Sequence, residues 1–396
     1  MPLSKTFIPY GAYWSSPFCR WQGALSNENS VQLGANTARR FFEQSSGSAE
    51  NLDGLITGFT VPQKHSFYGS PWVAGMMGIP GITGTTIAQA CATSTQVMQT
   101  AAGQIENGLS GAILGLTMDR TSNGPHIAYP NPMGFGGKPD AEDWVWDNFN
   151  KDPYAKGPMI STAENVAKAA GLTKEEQDEM TLLRNQQYMD ALADDRAFQK
   201  RYMFPVEIGK GKRAKLIEED EGVFPTTAEG LAKLGPVMEG GTVSFGTQTY
   251  PADGNAGLVL TTEDKAAEFS KDASVKIQVL GFGTARVEKG HMPMAVVPAA
   301  KAALAHAGVD LGDLKAIKTH NPFAVNDVYF CKETGVKPED MNKFGSPLIF
   351  GHPQGPTGMR ATIELIEQLV MEGGGYGLFA GCAAGDTAMA MVIKVG

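Results

Sequence analysis

Thr86-Ile-Ala-Gln-Ala-Cys-Ala-Thr-Ser-Thr-Gln-Val-Met-Gln-Thr-Ala-Ala-Gly-Gln-Ile-Glu-Asn-Gly-Leu-Ser-Gly-Ala-Ile-Leu-Gly-Leu-Thr-Met118 carries two patterns in one stretch. From Thr95 to about Gly108 the spacing is helical. Gly111 to Met118 is an unbroken run of small and apolar residues with the length of a strand. A strand without a polar face is buried on both sides, as in a sheet covered by helices. A helix running straight into such a strand predicts an α/β architecture.

The alternation extends in both directions. Val31 to Glu43 reads as a helix, and Leu52 to Phe59 as a turn and a buried strand. Downstream, Gly257 to Thr261, Lys276 to Phe282, Leu314 to Thr319, Tyr376 to Ala380 and Met389 to Val395 read as strands. Val297 to Ala307 and Thr362 to Met371 read as helices among them. Strand–helix–strand patterns on both sides of a different middle region point to a duplication, although the repeat is weak residue by residue.

That middle region spans residues 119–240. It opens on a Pro/Gly/Asn-rich segment, Asn123 to Pro139. Two polar helices follow, Thr162 to Ala170 and Lys174 to Ala193, with Asp194-Asp-Arg196 just past the second. Then comes a basic run, Lys210-Gly-Lys-Arg-Ala-Lys215, which on its own reads as a solvated turn. The whole is read as an inserted loop domain. Residues 1–118, completed by about 241–268, form one half of the parent fold, and 269–396 form the other.

Composition narrows the function classes. The chain has 396 residues, 42% hydrophobic and 19% charged, which suits a globular protein with two or three core-forming units. Its 48 glycines are scattered, which suits tight turns and close packing. A formal net charge of -9 argues against nucleic acid as a partner. No apolar stretch reaches membrane-spanning length, and the N-terminus lacks the apolar core of a signal peptide. Four cysteines without metal-site spacing (Cys19, Cys91, Cys331, Cys382) fit a reducing, cytoplasmic compartment and no resident metal.

Four side chains carry the chemical signal. Cys91 stands at the start of a helix, where the dipole is expected to lower a thiol pKa. His320 follows a strand in Thr319-His-Asn-Pro-Phe-Ala324. His352 sits in Gly351-His-Pro-Gln-Gly-Pro-Thr-Gly358, whose glycines and prolines should hold one ring orientation. Cys382 lies in a small-residue turn, Gly381-Cys-Ala-Ala-Gly-Asp386. Singly, each has a bland reading as a core thiol, a structural histidine or a plain loop. Together they form the set that thiol-mediated acyl transfer needs: a nucleophile, a base, a second proton shuttle and oxyanion donors.

At this point the chain resembles the thiolases, acyl-CoA C-acyltransferases, nearly end to end. Ser16-Pro-Phe-Cys-Arg-Trp-Gln-Gly-Ala-Leu25 is similar to their opening, without the usual preceding arginine. Cys91 and Ser94 fall on their Cys-Ala-Ser-Gly. Met118-Asp-Arg-Thr-Ser-Asn-Gly-Pro125 and Met159-Ile-Ser-Thr-Ala-Glu-Asn-Val166 resemble loop-domain segments. Gly351-His-Pro, Cys382 and Ala388-Met-Ala-Met-Val-Ile393 match the C-terminal motifs. The resemblance implies a duplicated five-layer αβαβα fold. It implies that His352 activates Cys91, which carries the acyl group, while Cys382 exchanges a proton with the α-carbon. Coenzyme A would be a co-substrate rather than a bound cofactor, with Lys210, Lys212, Arg213 and Lys215 near its phosphates and Thr249 near its pantetheine. Met159, Asn321 and Phe323 would line the substrate pocket. A homodimer or dimer of dimers is implied, and some altered relatives work beside a small zinc-bearing OB-fold subunit.

Three departures bear on substrate. His320 replaces an asparagine that positions an oxyanion-hole water, as in sterol-carrier-type and many archaeal thiolases. Ala384 stands where the family has glycine, so its N–H serves an oxyanion hole only if alanine accepts the backbone geometry. Gly246-Thr-Gln-Thr-Tyr-Pro-Ala-Asp-Gly254 keeps the length of a family loop but brings in Tyr250-Pro251. These changes, with Tyr129, Phe135, Trp144 and Trp146, predict an acyl group other than that of acetoacetyl-CoA. Two alternatives stay open. A ketoacyl synthase would use Cys91, His320 and His352, and a catalytically silent subunit would only bind acyl-CoA or a partner.

Overall fold

The computed structural model describes residues 1–209 and 211–396. Lys210, one of the four cations expected near coenzyme A, lies outside the described residues.

Two sheets carry the fold. The first contains Tyr13–Ser15 (β1), Gly54–Gly58 (β2), Thr86–Ile87 (β3), Ala112–Arg120 (β4) and Ala252–Thr261 (β5), in the order β1-β5-β4-β2-β3, with Cys19–Arg20 also pairing to β5. The second contains Ile277–Arg286 (β6), Leu314–His320 (β7), Gly375–Ala383 (β8) and Thr387–Val395 (β9), in the order β6-β9-β8-β7. In each sheet the first strand pairs antiparallel with the last, the last pairs antiparallel with the strand before it, and that strand pairs parallel with β2 or β7. The duplication that is weak in sequence is therefore plain in topology. Residues 119–240 interrupt the first half, and β5 returns to pair with β4, Gly257 opposite Leu116.

Helices fill the space around and between the sheets. Ser30–Gln44 (α1) lies on the outer face of the first sheet, and Val296–Ala307 (α5) on that of the second. Thr93–Glu106 (α2) and Thr357–Met371 (α7) touch strands of both sheets and each other, and so form the central layer of an αβαβα stack. Every residue of α7 from Thr357 to Leu369 is buried, so its polar stripe of Arg360, Glu364 and Glu367 is paired inside the protein rather than turned to solvent. Asn29 caps α1 by accepting the Val31 and Gln32 N–H groups. Gly283 lets α5 settle onto β6, since a Cβ there would strike the Ala299 carbonyl.

The inserted region contributes Met159–Ala170 (α3) and Lys174–Arg196 (α4), the latter opened by a Thr173–Glu176 capping box. Helical backbone ends at Ala193, and Asp194 and Asp195 turn left-handed, as the acidic pair past that helix foretells. Two short hairpins complete it, His126–Tyr129 with Asp140–Asp143 and Val206–Ile208 with Lys215–Ile217. Of the four aromatic residues expected at a pocket, only the two tryptophans pack against neighbouring chain. Tyr129 and Phe135 are exposed, Trp144 donates its indole N–H to the Thr60 carbonyl, and Trp146 packs edge-on to Trp21.

Sequence spacing places the start of α7 at Thr362, five residues late. Pro356 caps the helix and needs no N–H, so the Gly/Pro-rich loop gives way to helix already at Thr357. Among the described residues no helix is long and apolar enough to cross a membrane.

Two buried ion pairs fasten the insertion. Arg360 of α7 grips Asp220 through both guanidinium ends, at 2.7 and 2.8 Å, with neither side chain exposed. Arg184 of α4 donates to Asp327 at 2.8 Å, on Ala324–Thr334 (α6). Asp220→Ala leaves a buried guanidinium short of its partner and is expected to cost about 3–5 kcal/mol in a urea titration. Asp220→Leu combined with Arg360→Met should recover much of that loss, because no orphaned charge remains.

Candidate active site

Cys91 stands in the connection from β3 to α2. The Thr93 hydroxyl donates to the Ala90 carbonyl and accepts the Gln89 N–H, and this closes a turn in which Ala90 takes φ 44°. The thiol lies two residues before the first residue of α2. The expected fall in its pKa is not found. Burial pushes the Cys91 thiol up to about 12, while the backbone N–H groups of Ala384 and of Cys91 itself pull the other way. Loss of hydration outweighs a dipole felt strongly only within the first turn.

His352 is fixed from both sides of its backbone. Its N–H donates to Tyr250, and its carbonyl accepts from Ala252. The ring spans a hydroxyl and the thiol, with Nδ1 2.6 Å from Thr357 Oγ1 and Nε2 3.2 Å from Cys91 Sγ. With Nδ1–H donated to Thr357, Nε2 faces the sulfur as a free base. Burial, and His320 beside it, hold His352 well below the usual imidazole range.

His320 is the last residue of β7 rather than the first beyond it. Its ring lies 4.2 Å from that of His352, centroid to centroid, fully buried, with no hydrogen-bond partner on either nitrogen. Burial pushes it down to about 3, so it is neutral. Cys91, His320 and His352 each place one donor atom within 4.8 Å of the others, which makes them the one group among the described residues with metal-ligand spacing. The same three atoms are those a thiol nucleophile needs around it.

Cys382 lies inside β8, not in the turn after it. Asn326 donates to its sulfur at 3.2 Å, and burial raises its pKa. Ala384 begins the turn, and the positive φ values fall on Gly385 and Asp386. Alanine at 384 therefore carries no backbone strain. Its backbone N–H is among the groups that lower the Cys91 thiol pKa, against the larger effect of burial.

The remaining expected residues divide. The Thr249 N–H donates to Pro322 and its hydroxyl to Pro347 at 2.6 Å, so it stitches the His320 loop to the segment before His352. Asn321 spends its amide on Asp327, Ser346 and the Leu348 N–H, within a buried polar network. Phe323 packs in the core of the second half, with Met159 at its edge. Lys212, Arg213 and Lys215 are exposed at the hairpin that packs on α1. A cavity of about 310 Å³ opens elsewhere, between the insertion and the second half. Phe224, Leu231, Leu234 and Phe245 line it, and Gln248 and Tyr250 lead from it toward His352.

Three contacts escaped the sequence reading. Thr357 and Asn326 orient the base and the second thiol, but they lie five and six residues from the nearest motif histidine. Asp119 accepts the N–H groups of Thr60, Val61 and Gly355, tying the His352 loop to β4, and burial pushes its carboxyl up to about 7.

Comparison with known proteins fits this geometry. The family described as "Thiolase, N-terminal domain" matches residues 13–264, and "Thiolase, C-terminal domain" matches residues 273–395. The mitochondrial 3-ketoacyl-CoA thiolase of Mus musculus is 27% identical over 386 residues, covering 96% of each chain. Acetyl-CoA acetyltransferase 2 of Arabidopsis thaliana is 30% identical over 387 residues, 96% of this chain and 95% of the relative. The crystal structure of human mitochondrial 3-ketoacyl-CoA thiolase in complex with CoA superposes with a TM-score of 0.91 at 25% identity, covering 100% of this chain and 99% of that one.

The thiol pKa has a direct readout. Alkylation of Cys91 by iodoacetamide, mapped by mass spectrometry, is expected to rise about tenfold per pH unit between about pH 7 and 10 without a plateau. A plateau below about pH 9 means instead that the thiol ionises in its ordinary range.

Proposed function

This chain belongs to the thiolase family and is a thiolase-type CoA acyltransferase, and on that premise we propose that it cleaves a 3-oxoacyl-CoA with coenzyme A through an acyl group on Cys91. The observation that carries the proposal is the 3.2 Å approach of His352 Nε2 to Cys91 Sγ.

The steps follow from those atoms. His352 Nε2 takes the thiol proton, and the sulfur attacks the 3-oxo carbon. Ala384 N–H and the single N–H of neutral His320 are the donors offered to the oxyanion. As the C2–C3 bond breaks, Cys382 gives its proton to the departing enolate carbon. The thiol of coenzyme A then gives its proton to Cys382 and attacks the acyl-Cys91 thioester; the shortened acyl-CoA leaves, and the freed Cys91 sulfur recovers its proton from His352. Run in reverse, the same groups form the bond. High thiol and low imidazole pKa values keep all three groups neutral at rest and leave no buried charge before substrate arrives.

The apolar cavity beside Gln248 and Tyr250 suits the pantetheine arm of coenzyme A, and the exposed Lys212, Arg213 and Lys215, with Lys210, are offered for its phosphates. The substrate is taken to be other than acetoacetyl-CoA, because Tyr250-Pro251 and the donated Thr249 hydroxyl remake the loop next to His352. A silent subunit would have no reason to keep a base against a thiol, and a ketoacyl synthase has no use for Cys382. All four reacting side chains come from this chain, so the chemistry needs no partner subunit. A homodimer or dimer of dimers would cover the exposed Phe67 and Tyr68. Four free cysteines support a reducing, cytoplasmic setting.

A panel of 3-oxoacyl-CoA thioesters, including aryl and dicarboxylic ones, assayed for CoA-dependent thiolysis tests the activity and its substrate together. Cys91→Ser is expected to reduce cleavage to background, and retained turnover would remove Cys91 from the mechanism. Cys382→Ala is expected to accumulate acyl-Cys91 from an acyl-CoA, visible by mass spectrometry, while carbon–carbon exchange stops. Normal condensation in that variant would refute the proton-shuttle role.

A further inference from the structure

Cys91 has a second hydrogen-bond neighbour that the mechanism above does not use. Its S–H donates to Gln354 Oε1 at 3.2 Å, the same distance as to His352 Nε2. Gln354 is 9% exposed. Its backbone sits at φ 60°, a left-handed conformation that a side-chain-bearing residue adopts at a cost. Neighbouring bonds hold it there: the Gly355 N–H donates to Asp119 at 2.8 Å, and the Thr357 N–H donates to the Gln354 carbonyl. The loop thus spends backbone strain to aim this one amide at the nucleophile.

We propose that Gln354 is a further catalytic residue, serving the Cys91 sulfur in both of its charge states. The inference rests on Cys91 being the nucleophile, as read above. In the resting protein Oε1 accepts the S–H. The S–H then turns about the Cβ–Sγ bond from Gln354 to His352 Nε2; the proton moves to that nitrogen and the electron pair stays on sulfur. An oxygen facing that sulfur is then repelled. A glutamine amide carries two N–H donors opposite its oxygen, and its terminal torsion is soft and nearly two-fold. Turning the amide over presents Nε2–H to the thiolate, next to the Ala384 N–H already there. Gln354 also favours the protonated form of His352, the other partner in the transfer. An aliphatic residue in its place would do none of this, and a carboxylate would do only the first half.

The test compares Gln354→Leu and Gln354→Glu with the wild type in the iodoacetamide reaction of Cys91 at about pH 8, where the rate follows the thiolate fraction. Leu removes the donor and is expected to slow alkylation about tenfold, the size of one hydrogen bond to a charged group. Glu keeps the shape and the acceptor but places a negative charge beside the thiolate, and is expected to be slower still. If the residue only fills space, Leu reacts as fast as the wild type, while Glu is still slowed by its charge. That order, or equal rates in all three, overturns the proposal. Far-UV circular dichroism and melting temperature check folding, and Gln354→Met replaces the Leu variant if that one unfolds. No acyl-CoA enters the reaction, so absent thiolysis in the substrate panel sinks the proposed activity without deciding this point.

Discussion

The structure depends on a pair of charges that should not be inside a protein. Arg360 and Asp220 are both without exposure, and ionised groups taken from water lose several kcal/mol of hydration each. The pair persists because nothing on it is left unused. Besides its two bonds to Asp220, Arg360 reaches Glu364 at 3.1 Å and lies between the rings of Phe350 and Phe18. Asp220 also accepts from Tyr188 and from the Phe18 N–H. Glu364 in turn holds Lys318 of β7 and Tyr202. One polar cluster therefore joins the inserted region, the central helix and the second sheet. Thr357 heads that same helix, one turn from Arg360, and it orients the His352 ring. Docking of the insertion and aim of the base are set by one element.

The side chains proposed to react come from opposite halves of the duplication. Cys91 belongs to the first, and His320, His352 and Cys382 to the second. They meet only because the two central helices pack closely: the Ser94 hydroxyl of α2 donates to the Gly355 carbonyl, and Gly358 at the start of α7 lies against the Ser94 Cβ. A larger residue at either place would part the sulfur from the imidazole before it disturbed either half. The sulfur–imidazole distance is thus a packing distance between two helices of one layer.

Much of this was legible in the sequence where a signal was local. The apolar runs at Ala112–Arg120 and Thr387–Val395 are strands because a buried strand needs no alternation. Cys91, His352 and Cys382 stood in short, ordered motifs. What was illegible depends on distance or on competition between terms. Asn326, Thr357 and Gln354 matter through what lies across from them, which no spacing reports. Asn321 and Thr249 sat in the right loops, but their polar atoms are taken up by neighbouring chain. The sign of the Cys91 shift was missed because sequence shows the helix and not the burial. Trp146 packs on Trp21 and Trp144 donates to the Thr60 carbonyl, uses that composition does not separate from a pocket wall.

The N–H of Ala384 belongs to the peptide and not to the side chain. Any residue of ordinary φ could stand there and present the same dipole to Cys91. Position 384 is therefore a place where the side chain can change while the backbone dipole stays fixed. A glycine is not needed there, because the left-handed turn falls on Gly385 and Asp386.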